Sequence, residues 1–307
     1  MKKNNKLSSK VVTFLGFGGP SVILFSCVVL LPFIYGIYLT FTGWDGISSK
    51  IPCVGFENYS RLFQDKEFWV SLGKTILYAL ISVILANVVA FLLAYLVTSK
   101  IKGSNFFRAA FFTPNLIGGI VLGYIWQFVF NKGILIIGEK TGIQLFSSSW
   151  LSDPVKAFWA LIIVTVWQLS GYLMLIYIAG LMGVSENLKE AARIDGCGEF
   201  KIMYRIAIPL CVPTIATLCL FYAVGRWNGI DDQLYYVQKT GLHTVQMALK
   251  QMIEAVNVQS EESGTTQLVA ENIKAASITL SMTPMLVVYP FIQRFFTQGI
   301  MLGAVKG

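Results

Sequence analysis

The sequence is poor in charge. Only 13% of its 307 residues are Asp, Glu, Lys or Arg, where a soluble domain carries about a quarter. Together with a mean hydropathy of +0.65, this excludes an ordinary soluble fold. Histidine is nearly absent: His243 stands alone and reads as a polar loop residue rather than a proton relay. The five cysteines (Cys27, Cys53, Cys197, Cys211, Cys219) make no CxxC pair and have no histidine nearby, so they specify neither a disulfide framework nor a metal site. Cys27, Cys211 and Cys219 lie in apolar runs and read as small packing residues. The chain contains no GxxxxGK[ST] phosphate loop, no metal cluster and no nucleophile with a base in reach. No catalytic residue, metal site or bound cofactor is therefore expected, and any ATP used must be bound by a separate subunit. Acidic and basic residues are missing from the depths of the apolar runs, the nearest being Lys74, Lys156 and Lys274 at their edges. Ion-coupled carriers need ionisable groups there, so a self-sufficient secondary transporter or channel is the alternative reading, and a disfavoured one.

What the chain has is apolar runs. A span takes roughly 20 apolar residues to cross about 30 Å of hydrocarbon, and six spans are read at about 14–41, 72–97, 109–130, 157–182, 206–224 and 273–291. The first follows the basic start MKKNNKLSSK and is too long for a signal peptide, so it is kept as a span. The loop between the first two spans contains VGFENYSRLFQDKEFW, whose aromatics suit an interface. The third span contains Pro114 and a GxxxG, Gly119 to Gly123, read either as a helix-packing site or as chance in a glycine-rich stretch. Residues 131–155 are an outer loop, and within the polar excursion after Arg226, TVQMALKQMIEA has helical spacing while VQSEESGTTQ reads as mobile. Six spans put both ends on one side, which carries 13 Lys or Arg against 4 acids, while the other side carries 11 against 12. The positive-inside rule makes the first side cytoplasmic. The formal net charge of +8 is then a topology signal, and no nucleic-acid partner is expected.

The polar stretch EAARIDGCGEFKIMYRIAIPLCVP, Glu190 to Pro213, lies between the fourth and fifth spans. Ser185 is placed to cap a helix running to about Ile194, Asp195 and Gly196 supply a stop, and a second helix is expected from near Gly198 to Pro209. Ala191 and Ala192 would leave one face of the first helix flat enough for another protein to approach its backbone. Glu186 with Glu190, and Lys189 with Arg193, are like charges at i, i+4, which disfavour an isolated helix and point outward, to an external partner. The bland reading is a connector lying on lipid headgroups.

The pattern EAAxxDG with its later prolines (Glu190, Ala191, Ala192, Asp195, Gly196, Tyr204, Ile206, Pro209, Pro213) resembles the EAA motif of permease subunits in binding-protein-dependent ABC importers. VGFENYSRLFQDKEFW and FFRAAFFTPNLIGGIVLGYIWQFVFN resemble the carbohydrate-uptake branch, the maltose and glycerol-phosphate type. The resemblance implies an all-α integral membrane protein with the six-helix type I ABC importer permease fold and a cytoplasmic coupling helix. Its segments would be a tail at 1–13, the first span and external loop at 14–71, the transmembrane core at 72–293 with the EAA loop at 185–209, and a tail at 294–307. It also implies a multi-pass protein of the prokaryotic cytoplasmic membrane, with both termini cytoplasmic. The implied partners are a second permease subunit as a heterodimer, a pair of cytoplasmic ATPase subunits using ATP and Mg, an extracellular solute-binding protein that delivers the sugar, and membrane lipid. Glu190, Ala191, Ala192, Asp195, Gly196 and Pro209 inherit the ATPase-coupling role. The final third, from YAVGRWNGIDDQLYY, looks more like the second permease of such pairs, and QKTGLH stands where the first type has a glycine-rich loop.

A sugar path needs polar donors and acceptors beside aromatic faces. Asn87 in the second span, Trp167, Gln168, Ser170 and Tyr172 in the fourth, and Tyr222, Trp227 and Asn228 ending the fifth are the candidates, each with helix packing or interfacial anchoring as its plainer role.

Overall fold

The computed structural model describes residues 14, 16–44, 49–99, 103–230, 233–234, 243–262 and 275–290. The tails expected at 1–13 and 294–307, and most of QKTGLH, lie outside them. The described backbone is almost wholly helical, as hydrocarbon demands when no water is present to satisfy N–H and C=O groups. Its helices are α1 (Gly19–Leu39), α2 (Glu57–Gln64), α3 (Lys66–Thr98), α4 (Ser104–Leu116), α5 (Gly119–Thr141), α6 (Pro154–Met182), α7 (Glu186–Ile194), α8 (Glu199–Asn228), α9 (Val245–Glu262) and α10 (Ala275–Pro290). Of these, α1, α3, α5, α6 and α8 are long and apolar enough to cross a membrane, and α10 is apolar but shorter.

Two compact units form, one from Met1–Lys66 with Leu249–Met282, the other from Glu67–Ala248 with Thr283–Gly307. In the first, α1 buries none of its apolar window. The chain after it is pinned by Asn58, whose Nδ2 donates to the carbonyls of Thr40 and Thr42 at 2.9 Å each. The aromatics expected to mark an interface cluster here, Phe41 packing edge-on to Phe56 at 5.3 Å between ring centroids.

The second unit holds the core. Ala86, Ala90 and Ala94 are fully buried along one face of α3, and side chains this small let neighbouring helices come close. Leu173, Met174 and Tyr177 of α6, with Ala207 and Cys211 of α8, pack on that face. Tyr177 donates to Asn87 Oδ1 at 2.5 Å, and Tyr78 and Thr165 share a hydrogen bond of 2.8 Å. Such bonds between membrane helices are worth about 0.6 kcal/mol each, so the packing around them supplies most of the adhesion. A second cluster joins Tyr78 of α3, Phe130 and Ile134 of α5 and Ala157 to Val164 of α6.

Several expected boundaries move. The second span begins at Lys66 rather than near 72, and its 33 residues reach about 50 Å at 1.5 Å per residue, so Lys74 lies two turns inside the helix. The expected third span is not continuous: α4 ends at Leu116, Gly118 is extended at φ −58 and ψ 140, and α5 starts afresh. Pro114, which offers no N–H to the preceding turn, and the paired glycines explain the break. The helix that follows runs to Thr141, so part of the expected outer loop is helical, followed by short turns at Gln144–Phe146 and Trp150–Ser152. Of the GxxxG pair, Gly123 is buried and Gly119 exposed. The polar end expected after 255 is helical to Glu262.

Close helix–helix approach is found instead at Gly171, where an added Cβ would overlap the Phe111 carbonyl of α4. Gly171→Ala should lower the melting temperature of the detergent-purified protein, by the equivalent of about 1–3 kcal/mol for an overpacked contact. Gly225→Ala, with nothing within 4 Å of the new Cβ, should leave it unchanged; equal behaviour of the two would rule the contact out.

Candidate functional site

The connection between α6 and α8 is built around α7. Ser185 occupies the expected N-cap position, but its side chain makes no cap bond; the first turn is closed by Leu188 N–H donating to the Ser185 carbonyl at 3.2 Å. The stop is as expected. Gly196 has φ +78, Gly196 N–H donates to the Arg193 carbonyl at 3.0 Å, and Cys197 N–H donates to the Ala192 carbonyl at 2.9 Å. These two bonds close a Schellman motif, which needs a left-handed residue where Gly196 stands.

The side chains divide into a braced set and a free set. Glu186 receives Lys189 Nζ at 3.3 Å and an Arg193 terminal nitrogen at 3.4 Å, and these cations, Lys189 first, hold its carboxyl below the ordinary carboxylate range. Arg193 Nε donates to Glu199 Oε1 at 2.9 Å. Tyr95 of α3 then donates to Glu199, 3.0 Å from Oε2 and 3.1 Å from its carbonyl. A chain of contacts thus runs from the start of α7, across the glycine stop, to α3. The outward reading of all four helix charges is corrected here: Glu186, Lys189 and Arg193 support the loop itself. Glu190 is exposed and makes no ion pair among the described residues, as is also true of Asp195, Lys201 and Arg205. Beside them stand Ile194, Phe200 and Tyr204 at 82%, 83% and 72% exposure.

Of the expected coupling residues, Glu190, Ala191, Asp195, Gly196 and Pro209 are exposed. Ala192 is buried, so the flat face expected of the alanine pair is split: Ala191 faces out and Ala192 packs inward. The second loop helix does not stop at Pro209 but continues into the span, making α8 a single run of 30 residues. A π turn at Met203–Ala207 precedes Pro209, which sits in the first turn of the regular part. The proline's missing N–H is tolerated there.

The candidate path residues do not form one open wall. Asn87, Ser170 and Trp227 are buried, and Asn87 is committed to Tyr177 and to the Val83 carbonyl. Trp167 and Tyr172 are 38% and 41% exposed, Gln168 and Tyr222 are half-buried, and Asn228 is exposed while donating to the Val224 carbonyl at 2.9 Å. Trp167 meets Trp126 edge-on at 5.3 Å, and Trp126 Nε1 is buried without a hydrogen-bond partner. Trp126, Tyr95 and Glu199 are additions to the sequence reading. Glu199 was detectable as an acid six residues beyond Arg193, whereas nothing local marks a tyrosine 104 positions away.

Residues 86–302 match the family described as "Binding-protein-dependent transport system inner membrane component". The chain is 39% identical over 233 residues to the "Probable starch degradation products transport system permease protein AmyD" of Thermoanaerobacterium thermosulfurigenes, covering 76% of this chain and 79% of that protein. It is 32% identical over 242 residues to the "Diacetylchitobiose uptake system permease protein NgcF" of Streptomyces coelicolor, covering 75% and 67%. Among solved structures, a bacterial ABC transporter involved in the import of the acidic polysaccharide alginate matches with a TM-score of 0.74 at 18% identity, covering 95% of this chain and 99% of that one.

The bracing predicts a dynamic effect. Arg193→Gln should speed amide hydrogen exchange across Leu188–Ile194 by a factor of a few, as expected when exposed ion pairs are lost. Lys201→Gln, which breaks no such pair, should leave those rates alone, and identical rates in both variants would remove the brace.

Proposed function

This chain belongs to the binding-protein-dependent transport system inner membrane component family and has the type I ABC importer permease fold, and on that premise we propose that it forms the translocation path for a sugar. The sugar is handed over by an extracellular solute-binding protein. The relatives named for starch degradation products and diacetylchitobiose support an oligosaccharide as cargo. Family membership sets the self-sufficient carrier aside.

α7 is the coupling helix. The observation that carries this assignment is the division of its charges, with Glu186, Lys189 and Arg193 paired within the loop and Glu190 exposed and without an ion pair among the described residues. A carboxylate held on a braced helix beside exposed Ala191 is poised for a partner's basic or N–H groups, and the exposed Ile194, Phe200 and Tyr204 give that partner apolar area. The partner is one of a pair of cytoplasmic ATPase subunits, which bind ATP and Mg while this chain binds neither. A second, unlike permease completes the pore, both termini face the cytoplasm, and the membrane is that of a prokaryotic cell. Asp195, Gly196 and Pro209 fix where α7 ends and α8 begins, and Ala192 anchors α7 from inside. Along the path, Trp167, Gln168, Tyr172, Tyr222 and Asn228 offer surface to a passing sugar, while Asn87, Ser170 and Trp227 shape the wall behind them.

Glu190→Lys should abolish co-purification of the ATPase from solubilised membranes or uncouple its activity, leaving the second permease bound. Retention of a fully coupled ATPase by this variant would sink the coupling assignment. Trp167→Ala and Tyr172→Ala should each slow sugar uptake into vesicles several-fold, corresponding to about 1 kcal/mol of lost aromatic contact. Unchanged uptake in both would exclude these two residues from the path.

A further inference from the structure

A cleft of about 490 Å³ opens where α3 ends, α4 begins, α6 ends and α7 begins. Its polar lining comes from Thr98, Ser104, Arg108, Ser185, Glu186 and Lys189. We infer that this cleft is an anion site that takes a phosphate-bearing ligand, with the Arg108 guanidinium as its principal contact and Lys189 as its second cation.

Arg108 is the anomaly that points to a ligand. Its Nε is buried and has no hydrogen-bond partner, and its side chain forms no ion pair among the described residues. The half-buried Arg108 thus keeps its terminal N–H groups uncommitted among the described residues, and the planar fork of arginine matches phosphate oxygens two at a time. The lone acid on the wall does not cancel it, because the oxygens of Glu186 are taken up by Lys189 at 3.3 Å and Arg193 at 3.4 Å. One cation is therefore in surplus. The hydroxyls of Ser104 and Ser185 also make no side-chain hydrogen bond among the described residues. They stand at the starts of α4, 13 residues long, and α7, 9 residues long, neither of which has a side-chain cap. The starts of both helices thus border one cleft, and helix starts favour anions.

The position of the cleft suits a ligand from the membrane surface. Thr98 is the last residue of α3 and Leu181 lies next to the end of α6, so the polar groups lie where two spanning helices leave the hydrocarbon. Met182, which lines the cleft and is exposed, gives it an apolar side for a glycerol or acyl segment. A lipid headgroup and a free phosphate share the chemistry recognised. Either would tie the start of α4 to the start of α7 through one anion, and so restrain α7 at the end opposite Arg193, which is held by Glu199.

The test uses the full-length protein in two arms. In the first, wild type, Arg108→Gln and Arg205→Gln are reconstituted in phosphatidylcholine vesicles doped with phosphatidylglycerol, re-extracted, and weighed by native mass spectrometry. Wild type and Arg205→Gln, which removes an exposed unpaired arginine, should retain one phosphatidylglycerol, and Arg108→Gln should retain about tenfold less. In the second arm, inorganic phosphate is titrated into delipidated protein and the melting temperature followed; it should rise for wild type and not for Arg108→Gln. Retention without a phosphate effect assigns the site to a headgroup, and a phosphate effect without retention assigns it to a free phosphate. Ser185→Glu places a carboxylate at the exposed rim and should expel the anion in both arms without touching Arg108. The inference is overturned if wild type shows neither retention nor a melting shift, or if Arg108→Gln and Ser185→Glu both match wild type.

Discussion

The side-chain packing of α3 against α6 and α8, with two interhelical hydrogen bonds, organises the described core. It works because α3 presents Ala86, Ala90 and Ala94 on one face. In hydrocarbon there is no hydrophobic gain from bringing two apolar helices together, so adhesion comes from close atomic contact and a few polar bonds. Side chains of one carbon permit that contact over two turns, and Tyr177 reaching Asn87 fixes the register. Larger residues on this face would separate the helices and leave both hydrogen-bonding groups unsatisfied.

That packing also decides where the candidate site lies. The end of α6 and the start of α8 are both held on α3, so the segment joining them has its two ends fixed. Nine residues of helix and a glycine stop fill the gap, and Arg193, Glu199 and Tyr95 fasten the result back to α3. Each ion pair is exposed, and such pairs are individually weak. Their effect is to choose one orientation for α7 among several that the backbone would permit, which leaves Glu190 on the outward face.

The parts of this arrangement that rest on local chemistry were legible in the sequence. Apolar runs gave five membrane-length helices, and Asp195-Gly196 gave the stop, because a left-handed residue is a one-position requirement. The parts that rest on distant partners were not. Tyr95 looks like any span-end tyrosine until Glu199 is beside it, and the like-charge spacing in α7 appeared unfavourable because its relief comes from Glu186 within the helix and Glu199 beyond it. Ala191 and Ala192 are identical in sequence and opposite in burial, a distinction made by the direction of the core. The break at Gly118 was masked by continuous hydrophobicity, since hydropathy reports solvent preference and says nothing of backbone direction.

The same limit applies to α8, where Pro209 suggested an end and the helix instead runs through. Three π turns occur among the described helices, at Ser26–Leu30, Val129–Gly133 and Met203–Ala207, and two of them end within two residues of a proline, Pro32 and Pro209. Proline removes a donor and crowds the preceding turn, and a wider turn relieves the crowding without breaking the helix. At Pro209 this has a mechanical consequence. A helix interrupted by a loop would let α7 move without disturbing the membrane, whereas α8 is continuous from Glu199 to Asn228. The Arg193–Glu199 pair joins α7 to the first turn of α8, so on the proposed docking at Glu190 a partner's motion would be passed to that span. The wider π turn at Met203–Ala207 is the local irregularity at which such a motion would be taken up.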